Sequence, residues 1–269
     1  MTGNSTRKVR EIIRWFAERG EKHGVGTWVE TDVSKLRADQ YYGLKCFLLY
    51  ANQRNGCPRG YAVAGIKAVS ICERDGRSLK ELPSIFEDLY LGSKNRRAMP
   101  AMDPRFAELN VPRIVAQVEA GEMRAAFCAL DLRGAGHKIK SFFLRDIAIT
   151  TKSDRHSWTP GEQYIYCQPI DIWVRLTVGC LMKNALEGFR IPALPAVYGF
   201  YGDDKKKAAQ LIALSLEAGV SPLHVNHGIW YFGRHGVEEA GRLQHLLQTG
   251  EADVLRAEID LMGPFAEVF

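Results

Sequence analysis

The sequence has no unbroken run of about 18 apolar residues, the length a membrane-spanning helix requires. Its most apolar stretch, Asp171 to Met182, includes Arg175 and stops at Lys183. No membrane partner is expected. Near the start, Arg7, Lys8, Arg10 and Glu11 occupy positions where a secretory leader needs apolar residues, so the expected location is cytoplasmic. Cysteine is sparse and unpatterned. Cys46, Cys57, Cys72, Cys128, Cys167 and Cys180 form no C-x-x-C and no tight pairing with histidine, and none follows Cys180. That spacing suggests no zinc site, no disulfide ladder and no C-terminal iron–sulfur loop, whose ligands must be close together. The six read as reduced, mostly buried small hydrophobes. Strand signals are few as well: only Trp28 to Thr31 and Tyr164 to Cys167 look β-like, without the regular recurrence a sheet needs. There is no low-complexity segment and no repeat.

What is present is helical periodicity. The 269 residues, 46% hydrophobic and 25% charged, suffice for one large domain or for two lobes sharing a cleft. Val9, Ile12, Ile13 and Phe16 mark one apolar face of a helix over 6–19. Residues 38–51 read as a buried helix ending at the polar run Asn52-Gln53-Arg54-Asn55-Gly56, with a turn at Cys57-Pro58-Arg59-Gly60. Further helices are expected over 61–72, 78–91, 111–130, 137–149, 170–187, 203–218, 223–233, 236–248 and 251–262. Gly219 and Gly250 sit near C-terminal cap positions. Residues 188–202, with two prolines, suit a crossing between lobes. The expected fold is mainly α.

Charge is nearly balanced, 36 Lys+Arg against 31 Asp+Glu for a net +5, which permits a polyanionic partner without requiring one. Its distribution is more telling. Residues 121–155 hold seven Lys+Arg against four acids, surrounding Leu132-Arg133-Gly134-Ala135-Gly136-His137-Lys138. Two helices joined by a short loop with glycines two apart form a helix–hairpin–helix, here spanning about 122–149. The glycines permit φ > 0 and close approach to another surface, and the loop and first-turn amides suit a phosphate. An αα-hairpin whose glycines serve only the turn is the plainer alternative. Lys138 lies in the first turn of the second helix, where the positive dipole end and nearby cations disfavour its ammonium form. That makes it a candidate amine nucleophile.

Downstream, Gln168-Pro169-Ile170-Asp171-Ile172-Trp173 reads as a helix start, with Asp171 capping the free amides. A carboxylate there keeps its charge and has a second use, to stabilise an oxocarbenium-like sugar cation or orient a nucleophile.

The pattern L-x-G-x-G-x-K, a helix, then P-[IV]-D before an apolar helix resembles the signature of the helix–hairpin–helix (HhH-GPD) DNA glycosylases, nearest to the archaeal-type 8-oxoguanine glycosylase/AP lyases. Leu132, Gly134, Gly136, Lys138, Pro169 and Asp171 carry it. Phe142-Phe143-Leu144-Arg145-Asp146 resembles the F-L-R-[ND] stretch of the compact archaeal enzymes, and Asn52, Gln53, Arg54 and Asn55 sit where those carry an Asn-rich wedge loop. The motif-level likeness covers roughly residues 42–56, 122–178 and, loosely, 221–236.

The resemblance implies a single two-lobed helical unit over 1–269 with a cleft between the lobes and no iron–sulfur cluster. Lys138 would attack C1′ of a flipped nucleotide, with Asp171 on the helix over about 169–187 assisting. An AP lyase step is implied alongside base excision. Expected DNA contacts are Arg133, Gly134, Gly136, His137, Lys140 and Arg145, with Lys152 and Arg155 adding positive charge nearby. The wedge is Asn52 to Asn55, and the base-pocket candidates are Trp158, His227, Trp230 and Tyr231. Trp173 and Phe232 also offer stacking faces, with core packing the plainer role, and His224 and Asn226 lie in the same stretch. No cofactor is implied beyond a monovalent cation at the hairpin carbonyls. The implied partner is double-stranded DNA carrying a modified base, met by a monomer in the nucleoid.

Two departures stand out. Lys138 and Asp171 are 33 positions apart, more than the spacing usual for the family, with the excess in an insertion over about 150–163. The chain ends Glu267-Val268-Phe269, without the terminal lysine of the compact archaeal type. An oxidised purine such as 8-oxoguanine is the first expectation for the base, and a bulky hypermodified pyrimidine of phage DNA is the second. A non-catalytic DNA-binding hairpin protein stays open, as does a cysteine hydrolase built on Cys167, His156 and Asp171.

Overall fold

The computed structural model describes residues 2–23, 32–51, 59–91, 102–133, 135–155, 163–185, 200 and 202–233, and among these it is mainly helical with no strand. The chain divides into two compact units, one of Gly26–Trp158 and one of Met1–Val25 with Thr159–Phe269.

The first of these units contains α2 (Val33–Ala38), α3 (Gln40–Ala51), α4 (Arg59–Arg74), α5 (Leu82–Leu91), α6 (Val111–Glu119), α7 (Met123–Ala129) and α8 (His137–Thr151). Helix α8 is its axis. Every residue from Ile139 to Ala148 is buried, so α8 presents no solvated face over its middle turns. Phe143 meets Phe47 of α3 edge to face at 4.9 Å, and Phe47 in turn packs on Phe106. Each such burial contributes on the order of 2 kcal/mol against exposure. Between α3 and α6, a Cβ on Gly43 would fall 2.6 Å from the Val111 side chain, so only glycine permits that approach.

The second unit contains α1 (Thr2–His23), α9 (Ile172–Ala185), α10 (Asp204–Glu217) and α11 (Pro222–Phe232). Its tightest seam joins α1 to α11. A Cβ on Gly20 would stand 2.0 Å from the His224 carbonyl oxygen, and one on Gly228 would stand 2.0 Å from that of Phe16, so two glycines facing each other set the helix separation. Phe16 and Trp15 close the seam edge to face against Phe232.

Most of the expected helices form, with shifted ends. Two expectations change. The helix expected over 111–130 is two helices, because Gly121 at φ 76 lets the Glu122 and Gly121 amides turn back onto Gln117 and Val118, ending α6. Tyr164 to Cys167 forms a 3-10 turn rather than a strand; all four residues are buried, so the run lacks the alternation of a half-exposed strand. The expected cap at Gly219 forms in the same manner as at Gly121. The segments 28–31, 188–199, 236–248 and 251–262, and Gly250, lie outside the described residues. No described helix is long and apolar enough to cross a membrane.

Candidate functional site

Helices α7 and α8 follow one another in the chain and pack together, with Leu130 to Arg133, Ala135 and Gly136 described between them. The connection is anchored from within. Leu132 and Ala135 turn inward and are buried, and the Ala135 amide donates to the Leu132 carbonyl at 2.9 Å. The Arg133 amide, expected to face a phosphate, instead donates to Asp103 Oδ2 at 2.6 Å. Asp103 also caps the turn Pro104–Ala107 and receives the Arg105 guanidinium. That guanidinium, helped by the Arg133 and Arg105 amides, holds the Asp103 carboxyl down at about 2.

Gly136 does not adopt positive φ. At φ −68, ψ 171 it is the extended N-cap of α8, and a Cβ there would meet nothing within 4 Å. No side chain caps α8, so its first-turn amides lack that form of satisfaction. Gly134 lies outside the described residues.

The basic residues of the hairpin separate into two groups. Arg124, Arg133 and Lys138 are exposed, and Lys138 Nζ lies 5.7 Å from the Phe142 ring centre with no carboxylate partner among the described residues. His137, Lys140 and Arg145, expected at the DNA surface, are buried. His137 packs on Phe127 and lies near Ser141; burial, aided by the Lys140 charge, pushes its pKa down to about 3. Lys140 ion-pairs with Asp131 at 2.8 Å and sits over the Phe127 ring. Arg145 Nε donates to Asp146 Oδ1 at 2.8 Å, and its guanidinium covers Phe142. In this arrangement these three serve the core and offer nothing to a phosphate. Lys152 is a left-handed C-cap at φ 57.

Asp171 belongs to the other compact unit, at the start of α9. Its side chain is buried, and Oδ1 accepts the Val174 amide at 2.9 Å, a true N-cap bond. The preceding residues are fixed from α11. Asn226 Nδ2 donates to Gln168 Oε1 at 3.0 Å and to the Pro169 carbonyl at 3.2 Å, and Asn226 and Gln168 are fully buried. Asn226 therefore holds the Pro-Ile-Asp segment rather than facing open space. One turn beyond Asp171, Arg175 binds Asp204 of α10 through two nitrogens, at 2.6 and 2.7 Å. This carboxylate raises the Arg175 pKa.

The base-pocket candidates divide similarly. His227 and Trp230 are buried and stacked on each other, and the half-buried Tyr231 stacks on His23 at 4.0 Å. Trp173 is half-buried and packs against Gly233, and Phe232 joins Trp15 and Phe16. His224 is half-buried where α11 meets Gly20. Asn52, Gln53, Arg54, Asn55, His156 and Trp158 lie outside the described residues. Cys167 is fully buried, which argues against its use as a nucleophile, whereas Cys128 is exposed. Among the described residues no three His, Cys, Asp or Glu side chains converge to hold a metal.

Two residues with defined roles were not anticipated from the sequence. Asp103 was signalled only by Asp-Pro, a common cap followed by a residue suited to the first helical position. Asp204 was hidden next to the run Lys205-Lys206-Lys207. No family model, curated protein or solved structure matches the chain.

Proposed function

We propose that the protein is a base-excision DNA glycosylase with an associated AP lyase step, built on a two-lobed helix–hairpin–helix fold. The observation that carries the reading is the contrast between two lysines on one helical turn. Lys140 is buried and ion-paired with Asp131, whereas Lys138, the lysine of the L-x-G-x-G-x-K pattern, is exposed and has no described acid partner. A lysine kept clear of carboxylates beside an uncapped helix start suits an amine nucleophile. Asp171, with one oxygen committed to the α9 cap, is supported in the family role of assisting carboxylate by its burial and fixed backbone.

In the proposed reaction the neutral Lys138 amine attacks C1′ of the flipped nucleotide. The C1′–N bond breaks, and the base leaves with the electron pair and takes up a proton. The nitrogen gives up one proton as the C1′–O4′ bond breaks and O4′ takes one up as a hydroxyl, leaving an iminium (protonated Schiff base). The iminium makes a C2′ hydrogen acidic, and its loss as a proton expels the 3′-phosphate by β-elimination. This route calls for no cofactor. An oxidised purine is the first substrate class to try and a hypermodified pyrimidine the second.

The test is a panel of duplexes, each with one modified base, scored for released base, strand scission and borohydride trapping. One duplex should yield all three, and Lys138→Gln should remove trapping while DNA binding remains. Trapping that persists in Lys138→Gln would overturn the nucleophile assignment, and no release from any duplex would leave a DNA-binding protein without this chemistry.

A further inference from the structure

With His137, Lys140 and Arg145 buried, the described hairpin keeps Arg124, Arg133, Lys138, the left-handed Lys152 and a few amides for contact with a polyanion. The second unit carries a denser group of cations that the resemblance does not assign. Lys205, Lys206 and Lys207 occupy the first turn of α10, where the positive end of the helix dipole makes ammonium groups unfavourable. Among the described residues none of the three has an ion-pair partner, and the adjacent carboxylate that would suit one, Asp204, is buried and held bidentately by Arg175. Asp203 caps no amide with its side chain and stands exposed. Lys206 is exposed, and Lys205 and Lys207 are half-buried.

Their placement is fixed relative to Asp171, because all of these residues belong to one compact unit. The Arg175–Asp204 pair locks the start of α10 to α9 one turn beyond Asp171. One turn further, a Cβ on Gly179 would lie 3.8 Å from Lys207 Nζ, so the ammonium rests beside a position with no side chain to cover it. Eight residues of helix separate Asp171 from Gly179, about 12 Å at 1.5 Å per residue. That is the axial length of about three to four base pairs at 3.4 Å each.

We propose that Lys205, Lys206 and Lys207 form a second DNA-backbone contact surface, carried by the same unit as Asp171 and braced by the Arg175–Asp204 pair, that binds phosphates within a few nucleotides of the excised base. The proposal rests on the DNA-glycosylase reading above. It separates the labour of binding: the hairpin supplies Lys138 and helix amides, and the α10 lysines supply sequence-independent charge. A helix start that disfavours three cations in the free protein becomes favourable once phosphates neutralise them.

The experiment measures binding of the full chain to an unmodified duplex across a salt series. The comparison is between wild type, a triple variant Lys205→Gln, Lys206→Gln, Lys207→Gln, and a triple variant with arginine at the same positions. Each phosphate contact contributes about 0.9 to the slope of log affinity against log salt, so the glutamine variant should lose about 2.7 from that slope. Over a rise from about 50 to 200 mM salt its disadvantage to wild type should shrink about 40-fold. The arginine variant should restore the slope. Glutamine is a good helix former and removes the unfavourable charge, so its melting temperature should be at least that of wild type. A slope unchanged by glutamine, or not restored by arginine, overturns the proposal. If Lys138→Gln still abolishes borohydride trapping in that case, the glycosylase reading survives alone. Absence of salt-dependent DNA binding by wild type overturns both.

Discussion

Tyr50 donates its phenolic hydroxyl to Asp146 Oδ2 at 2.8 Å, tying the last turn of α3 to the middle of α8. The other carboxylate oxygen receives Arg145 at 2.8 Å, so both oxygens of a buried acid are engaged. Burial raises the Asp146 pKa, while Arg145 and Tyr50 oppose that rise. Removing one partner leaves the charge short of a hydrogen bond where water does not replace it. Tyr50→Phe should therefore cost about 1–3 kcal/mol, more than a surface hydroxyl would. Urea unfolding at neutral pH measures it, and a loss below a few tenths would show that the carboxylate finds another donor.

Asp103 fastens the hairpin connection by accepting the Arg133 amide, and its carboxyl is held at about 2. A carboxyl depressed below its unfolded value, about 3.9, adds stability above that pH and loses it as pH falls toward the folded value. Asp103→Asn should destabilise by up to about 2 kcal/mol at pH 6, and the gap to wild type should close between about pH 4 and pH 2. Parallel urea titrations along that range test this. A gap independent of pH would assign the loss to packing instead of charge.

His137 predicts an acid response in a higher window. Buried neutral, with a pKa of about 3, it cannot take up the proton that an unfolded histidine binds near pH 6.5. The unfolded state then holds more protons from about pH 6.5 down to 3, and stability falls by about 1.4 kcal/mol per pH unit across most of that span. Replacing His137 with leucine, which keeps an apolar body against Phe127, should flatten the decline. Equal acid slopes in thermal melts of wild type and His137→Leu would locate the sensitivity elsewhere.

Helix positions were legible in the sequence because burial on one face leaves a period, as Val9, Ile12, Ile13 and Phe16 do in α1. The end of α6 was not legible. The apolar period continues through Gly121, and only the backbone angle there reveals the break. Charged side chains were read least well. Lys140 and Arg145 look solvent-directed by residue type, yet each charged head lies over an aromatic ring and also meets an aspartate, Asp131 or Asp146. Residue type gives sign and reach, whereas burial depends on neighbours distant in sequence. Asp103, 30 positions before Arg133, shows the same limit, since nothing local to the hairpin names its anchor.

The two readings of Asp171 separate by choice of substitution. Asparagine caps helices about as well as aspartate, and its amide oxygen is able to accept the Val174 amide as Oδ1 does now. Alanine removes both the cap and the charge. If Asp171 is a cap alone, Asp171→Asn should leave stability and activity near wild type, while Asp171→Ala should lose about 1 kcal/mol. If the carboxylate also assists at C1′, Asp171→Asn should melt within a degree or two of wild type yet release base at least about 100-fold more slowly, on the scale of lost electrostatic or acid–base help. Single-turnover rates on the duplex selected from the panel, taken beside thermal melts of both variants, decide between them. Full-rate excision by Asp171→Asn would confine Asp171 to the helix cap.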